Sequence, residues 1–187
     1  MTEFILMRGL IVGRFQPLHK GHMSAIREAL SKCDDLIVVI GSAEDSHTER
    51  NPFTAGERYQ MLLSSLEPEE RARILIVPIR DVNRYSVWVN HVESYVPPFD
   101  TVFSNSDLTR SLFKEAGYSV RKTRAYNPET YSATEIRRRI VSGEPWESLV
   151  PGPVEAFLKA LDARQRLLDA GATPSKKNTR GGDPCDR

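Results

Sequence analysis

The apolar positions of the chain fall into short unbroken runs separated by amphipathic stretches, and that alternation predicts the architecture. Leu10-Ile11-Val12, Leu36-Ile37-Val38-Val39-Ile40-Gly41 and Ile74-Leu75-Ile76-Val77 have strand length and no polar alternation. Such runs belong to strands buried on both faces, as in a parallel sheet. Thr101-Val102-Phe103 predicts a short fourth strand and Tyr118 to Arg121 a fifth. Helical spacing links them. Met23, Ile26, Leu30 and Cys33 form one stripe; Tyr59, Leu62 and Leu66 follow the capping box Thr54-Ala55-Gly56-Glu57. Trp88, Val89, Val92 and Val96 follow Ser86, a candidate cap, and Pro97-Pro98 stops that helix. A further helix from about Asp107 carries Leu108, Leu112 and Phe113, with Gly117 placed for its C-terminal cap. The fold class predicted is therefore α/β: a doubly wound, Rossmann-like, parallel five-stranded sheet with helices on both faces and a C-terminal helical segment. Right-handed crossovers put the loops that follow the strands on one edge of the sheet, where such folds bind ligands.

Gly143, Pro145 and Pro151-Gly152-Pro153 set off a short helix holding Trp146 and Leu149. A single terminal helix is then expected, packed through Val154, Phe157, Leu158, Leu161 and Leu168. From Gly171 the composition turns to Thr, Pro, Ser, Lys, Asn and Gly without apolar anchors. The expectation is one domain over residues 1–170, in which 1–7 form an N-terminal extension, and a disordered tail over 171–187.

The chemistry concentrates after the first strand, in Gly13-Arg14-Phe15-Gln16-Pro17-Leu18-His19-Lys20-Gly21-His22. This loop carries two imidazoles, an Arg and a Lys, and Gly13 and Gly21 let backbone approach a ligand. The start of the following helix offers N–H groups and the positive end of a dipole, which suits a phosphate. Two histidines could instead be a metal pair or satisfied loop polars. A helical metal pair, however, has i, i+4 spacing with a further ligand nearby, and none is local here. The polar loop from Ser42 to Phe53, with His47, Arg50 and Asn51-Pro52, follows the second strand. Asp81 and Asn83 follow the third.

A second anion site is read in Tyr131-Ser132-Ala133-Thr134-Glu135-Ile136-Arg137. Ser132 and Glu135 form a capping box, so a helix opens with the hydroxyls of Ser132 and Thr134 beside free N–H groups. Arg137 projects from its first turns, whereas Arg138 and Arg139 read as a solvated basic face.

Composition changes this picture mainly by exclusion. Lys plus Arg number 26 and Asp plus Glu 25, so any anion site must be local, and neither nucleic acid nor a membrane surface is an expected partner. The two cysteines, Cys33 and Cys185, make no disulfide framework or zinc pattern, which reads as a reducing, cytoplasmic setting. There is no cleavable signal pattern and no apolar run of membrane-spanning length.

The loop from Gly13 to His22 resembles the HxGH signature of the nucleotidylyltransferase superfamily. Ser132-Ala133-Thr134-Glu135-Ile136-Arg137 resembles its second, ISxTxxR-type signature, with Tyr131 where Ile is usual. More narrowly, Gly41-Ser42-Ala43, Ser46-His47, the run from Asn51 to Arg58, Trp88 to Val92 and Pro97 to Asp100 resemble archaeal-type nicotinamide-nucleotide adenylyltransferases. Glu44, Tyr85 and Ser104-Asn105-Ser106 differ from that family's usual residues.

The resemblance implies adenylyl transfer from ATP to nicotinamide mononucleotide (NMN), giving NAD and pyrophosphate in a homo-oligomer, often a hexamer. The alternatives are a related enzyme with another phosphorylated acceptor (nicotinic acid mononucleotide, FMN or phosphopantetheine) and a non-catalytic nucleotide sensor. The nucleophile is already a phosphate oxygen, so the task is alignment and charge stabilisation, without a covalent intermediate. The implied catalytic residues are His19, His22, Arg14 and Arg137. Gly13, Phe15, Gln16, Lys20, Gly21, Arg50, Ser132 and Thr134 would bind ATP and its phosphates, and Trp88, Asp81 and Asn83 would bind NMN. For Trp88 the alternative is core packing. No protein metal site is expected; Mg²⁺ would be held mainly by substrate phosphates and water.

Overall fold

The computed structural model describes residues 6–124 and 129–173. Five parallel strands, β1 (Arg8–Gly13), β2 (Asp35–Ile40), β3 (Ile74–Pro78), β4 (Thr101–Phe103) and β5 (Ser119–Arg121), form one sheet in the order β3-β2-β1-β4-β5. The unbroken apolar runs explain the arrangement. Leu36, Val38 and Ile40 of β2 enter a core on one face with Ile11 and Phe103, while Ile37 and Val39 enter a second core on the other with Leu10 and Val102. The edge strand β3 is correspondingly less buried, with Leu75 44% exposed.

The first face is covered by α1 (Lys20–Leu30), α2 (Ala55–Ser65), α6 (Ala133–Ser142), α7 (Gly152–Ala160) and α8 (Ala163–Asp169). The second is covered by α4 (Tyr85–Glu93) and α5 (Asp107–Glu115), and a short α3 (Pro68–Arg71), absent from the sequence reading, precedes β3. The strand order reverses between β1 and β4, so their trailing loops part and leave a crevice at the carboxyl end of the sheet.

Three local expectations need correction. The C-terminal segment is two helices, because Asp162 takes a left-handed φ of 51° and caps α8 through Gln165 N–H. The helix carrying Trp88 starts at Tyr85 after Arg84 and ends at Glu93, so Ser86 lies inside it and Pro97 plays no part in stopping it. The buried stripe of α2 is Arg58, Met61 and Leu62; Tyr59 is exposed. Gly117 does cap α5 as expected, at φ 89°, with Tyr118 N–H returning to Phe113 O. Met7, assigned to the extension, is tied to Asp34 by backbone and carboxylate. At the other end Ala172 still packs on the core, and residues 174–187, with Cys185, lie outside the described residues.

Candidate active site

A cleft of about 890 Å³ opens at the reversal point. It is walled by the loops after β1, β2, β3, β4 and β5, as the topology requires. Gly13, Arg14, His19, Gly21, His22, Arg50, Asp81, Asn83 and Trp88, all singled out from sequence, line it together. Among the described residues Arg14, Arg50, Arg84, Lys122 and Arg124 share the cleft with two carboxylates, Asp45 and Asp81, which makes a basic site in a nearly neutral protein. No helix among the described residues is long and apolar enough to cross a membrane.

The histidines are held by α1 itself. His19 is its N-cap: its Nδ1 accepts from His22 N–H at 3.2 Å, and His22 Nδ1 accepts from His19 N–H at 3.4 Å. This is a capping box built from two imidazoles. An Nδ1 that accepts an amide proton cannot carry its own, so each neutral ring holds its proton on Nε2. Burial, and secondarily the charge of His22, push the pKa of His19 well below its ordinary value. At neutral pH His19 is thus a neutral donor.

The packing of the loop itself also requires the two glycines. A Cβ on Gly13 would lie 2.7 Å from the Phe15 ring, and one on Gly21 3.0 Å from His19 Nδ1. They make room for the rings that shape the loop. Phe15, at φ 54° and 2% exposed, meets His22 edge-on at 4.9 Å. Gln16 is buried and pairs with both backbone groups of Phe53, at 2.8 and 2.9 Å. The side chains of Phe15 and Gln16 therefore build the loop and do not line the cleft, and Lys20 points to solvent at the first position of α1.

Ser132 caps α6 through Glu135 N–H, and Thr134 accepts from Arg137. Neither hydroxyl is on the cleft wall, but Arg137 Nη1 donates to Gln16 O at 2.7 Å, which joins the second signature to the histidine loop. Arg138 and Arg139 are not a solvated face. Arg138 is clasped between Glu135 at 2.9 Å and Glu144 at 2.5 Å, and Arg139 meets Glu135 at 2.8 Å.

Trp88 packs edge-on to Phe113 at 5.4 Å while lining the cleft, so it belongs to the core and to the site at once. Asp81 accepts from Ser42 Oγ at 2.6 Å, and its N–H donates to both oxygens of Glu44. Sequence reasoning gave no site role to Asp45, Ser104, Asn105 and Thr123, and named Asn51 and Tyr131 only within longer stretches, yet all six line the cleft. Asn105 and Thr123 exchange two hydrogen bonds, 3.0 and 3.2 Å, that tie the β4 and β5 loops. Their only signal was position, since both follow predicted strands.

The Cytidylyltransferase-like family model matches residues 10–139. A nicotinamide-nucleotide adenylyltransferase of Archaeoglobus fulgidus is 46% identical over 168 residues, 87% of this chain and 97% of that protein. Its counterpart in Pyrococcus abyssi is 47% identical over 163 residues, 87% and 88% of the two chains. Among solved structures, a bifunctional NMN adenylyltransferase/ADP-ribose pyrophosphatase of Francisella tularensis, complexed with AMP and a manganese ion, superposes with a TM-score of 0.73 at 23% identity. That likeness covers 89% of this chain, which spans about half (52%) of the bifunctional one.

Proposed function

The chain belongs to the nicotinamide-nucleotide adenylyltransferase family and is an adenylyltransferase of NAD biosynthesis; we propose that it joins ATP to NMN in one direct displacement, with pyrophosphate leaving and no covalent intermediate on the protein. The phosphate of NMN attacks the α-phosphorus of ATP, forming one P–O bond as the bond to the β-phosphate breaks. No side chain needs to generate the nucleophile. What the protein supplies is alignment of two mutually repelling anions and stabilisation of the charge that develops on the transferred group.

The observation that carries this reading is the imidazole capping box on the cleft wall. It fixes two Nε2–H donors, pre-oriented before substrate arrives. Arg14 and Arg50 supply the countercharge for the triphosphate, and Arg137 braces the loop through Gln16 O. Trp88 and the Asp81–Asn83 loop offer a ring face and polar groups for the nicotinamide nucleotide.

Magnesium enters this reading on the substrate. Among the described residues no group of three His, Cys, Asp or Glu could hold a metal. The cleft carboxylates are engaged as well, Asp45 by Asn51 Nδ2 and Asp81 by Ser42 Oγ. That donor set fits an ion whose ligands are chiefly phosphate oxygens and water, and which neutralises the departing pyrophosphate.

The test is pyrophosphate release from ATP and Mg²⁺ with a panel of phosphorylated acceptors, run beside His22→Ala. Release with NMN that the variant lacks supports both reaction and site. Release only with another acceptor keeps the displacement and replaces the substrate. No release with any acceptor, despite saturable ATP binding, makes the protein a nucleotide sensor.

A further inference from the structure

Arg58 is the largest side chain buried without any exposure, and it stands just behind the cleft wall. Its guanidinium spends its donors on main-chain carbonyls. Nη1 reaches Arg14 O at 2.9 Å and Gly41 O at 2.8 Å, Nη2 reaches Ser42 O at 2.9 Å, and Nε returns to Thr54 O at 3.3 Å. Those carbonyls belong to the loop after β1, the loop after β2 and the cap of α2. Ser42, held this way, sits at a left-handed φ of 48°, which a serine adopts only under constraint. Its hydroxyl then binds Asp81, and so carries the constraint to the loop after β3.

We propose that Arg58 is a positioning residue for adenylyl transfer: one buried planar fork that sets the relative placement of Arg14, the turn leading to Asp45 and Arg50, and the Asp81 loop. This rests on the adenylyltransferase reading of the cleft. A buried cation is costly even with carbonyls on its donors and the carboxylates of Asp45, Glu44 and Asp81 in range, and burial pushes the pKa of Arg58 down to about 10, still charged at neutral pH. An apolar side chain could fill the same volume between α2 and the sheet without that cost. What it could not do is fix three carbonyls from two different loops in one plane. Lysine could not either, since its donors radiate from one point. The arrangement matters because displacement of a catalytic group by about 1 Å can cost about a hundredfold in rate.

The experiment compares the full chain with Arg58→Met, Arg58→Lys and Met61→Ala. Met61 is equally buried one turn along α2, and its apolar side chain has no donor to offer the loop carbonyls, so it serves as a control for destabilisation. Each variant is assayed well below its own unfolding midpoint, with ATP and NMN saturating. The expected result is a kcat at least tenfold lower in Arg58→Met, partial recovery in Arg58→Lys, and Met61→Ala within twofold of wild type despite a comparable loss of midpoint. A kcat for Arg58→Met within twofold of wild type, or an equal loss in Met61→Ala, overturns the proposal. Should Arg58→Met not fold, Arg58→Lys decides, and wild-type turnover in it overturns the need for the fork. If the wild-type protein makes no NAD, the adenylyltransferase reading fails separately. ATP affinity by calorimetry then tests Arg58: a tenfold weakening in Arg58→Met supports positioning, and unchanged affinity removes it.

Discussion

The rings of His19 and His22 stack with centroids 3.5 Å apart and planes 20° from parallel, each accepting the other's backbone N–H. One pair of hydrogen bonds thus caps α1, orders the loop and fixes both tautomers. Structure and chemistry share the same atoms here, and substitutions can separate them. His19→Asn retains a side-chain acceptor for the cap but loses the Nε2 donor. We expect its stability within about 0.5 kcal/mol of wild type, whereas His19→Ala loses about 1 kcal/mol with the cap. Both should lower kcat by about a hundredfold or more, the cost of a lost transition-state donor. Chemical denaturation and steady-state turnover on the same samples check this. A drop in ATP affinity as large as the drop in kcat would make His19 a ground-state ligand instead.

The depressed pKa of His19 has a signature of its own. In the unfolded chain this imidazole takes up a proton near pH 6.5, while in the fold burial, aided by His22, delays that to lower pH. Between those two values the unfolded state binds more protons, so the stabilising contribution is complete above about pH 6.5 and declines as pH falls below it. NMR titration of the His19 ring should show a neutral imidazole at pH 6.5 in the substrate-free protein. Half-protonation at or above that pH would contradict the neutral-donor assignment.

Trp88 offers a test of its two contacts. Removing the ring in Trp88→Ala should raise the Michaelis constant for NMN about tenfold, in line with the ~1–3 kcal/mol typical of base–aromatic stacking, and leave that for ATP within about twofold. Trp88→Phe keeps an aromatic face toward the cleft and an edge toward Phe113, and should recover most of the loss. Equal increases for both substrates would mean that the Phe113 contact is what matters, with Trp88 acting as a core residue.

The sequence made the sheet legible because unbroken apolar runs such as Leu36 to Ile40 have few other ways to be buried. The histidine loop was legible for a similar reason: a glycine-flanked, basic turn between a strand and a helix has few uses. What escaped were decisions that depend on distant parts of the chain. Gly13 and Gly21 are legible as places where backbone can approach a ligand, but not as the room that the Phe15 and His19 rings need. Arg58 has no role legible beyond the end of the family-like run from Asn51, because nothing local shows that three carbonyls from other loops will converge on it. The clasp on Arg138 was hidden because Glu144 reaches it only through the turn after α6, whereas the Glu135 partner of Arg138 and Arg139 lies within the helix itself. Helical spacing likewise favoured Tyr59 over Arg58 for the buried stripe, since hydropathy cannot anticipate a buried guanidinium whose partners lie elsewhere.

That turn after α6 supports a last prediction. The Glu135 carboxylate is shared by Arg138 and Arg139, its side chain is 11% exposed, and the hydrogen bonds from Arg138 above all hold its pKa down to about 2. An unfolded glutamate titrates near 4.3. The folded state therefore holds fewer protons than the unfolded one between about pH 4.3 and 2, so the stabilisation is complete above that window and lost as pH falls through it. Glu135→Gln should destabilise the protein by about 1–2 kcal/mol at pH 7, a magnitude reduced for the partial solvation of both arginines. The gap between variant and wild type should be less than half as large at pH 3, because much of the linkage has by then been lost. Urea unfolding at the two pH values measures it. A gap that stays constant with pH would mean that Glu135 acts through packing, with no contribution from its charge.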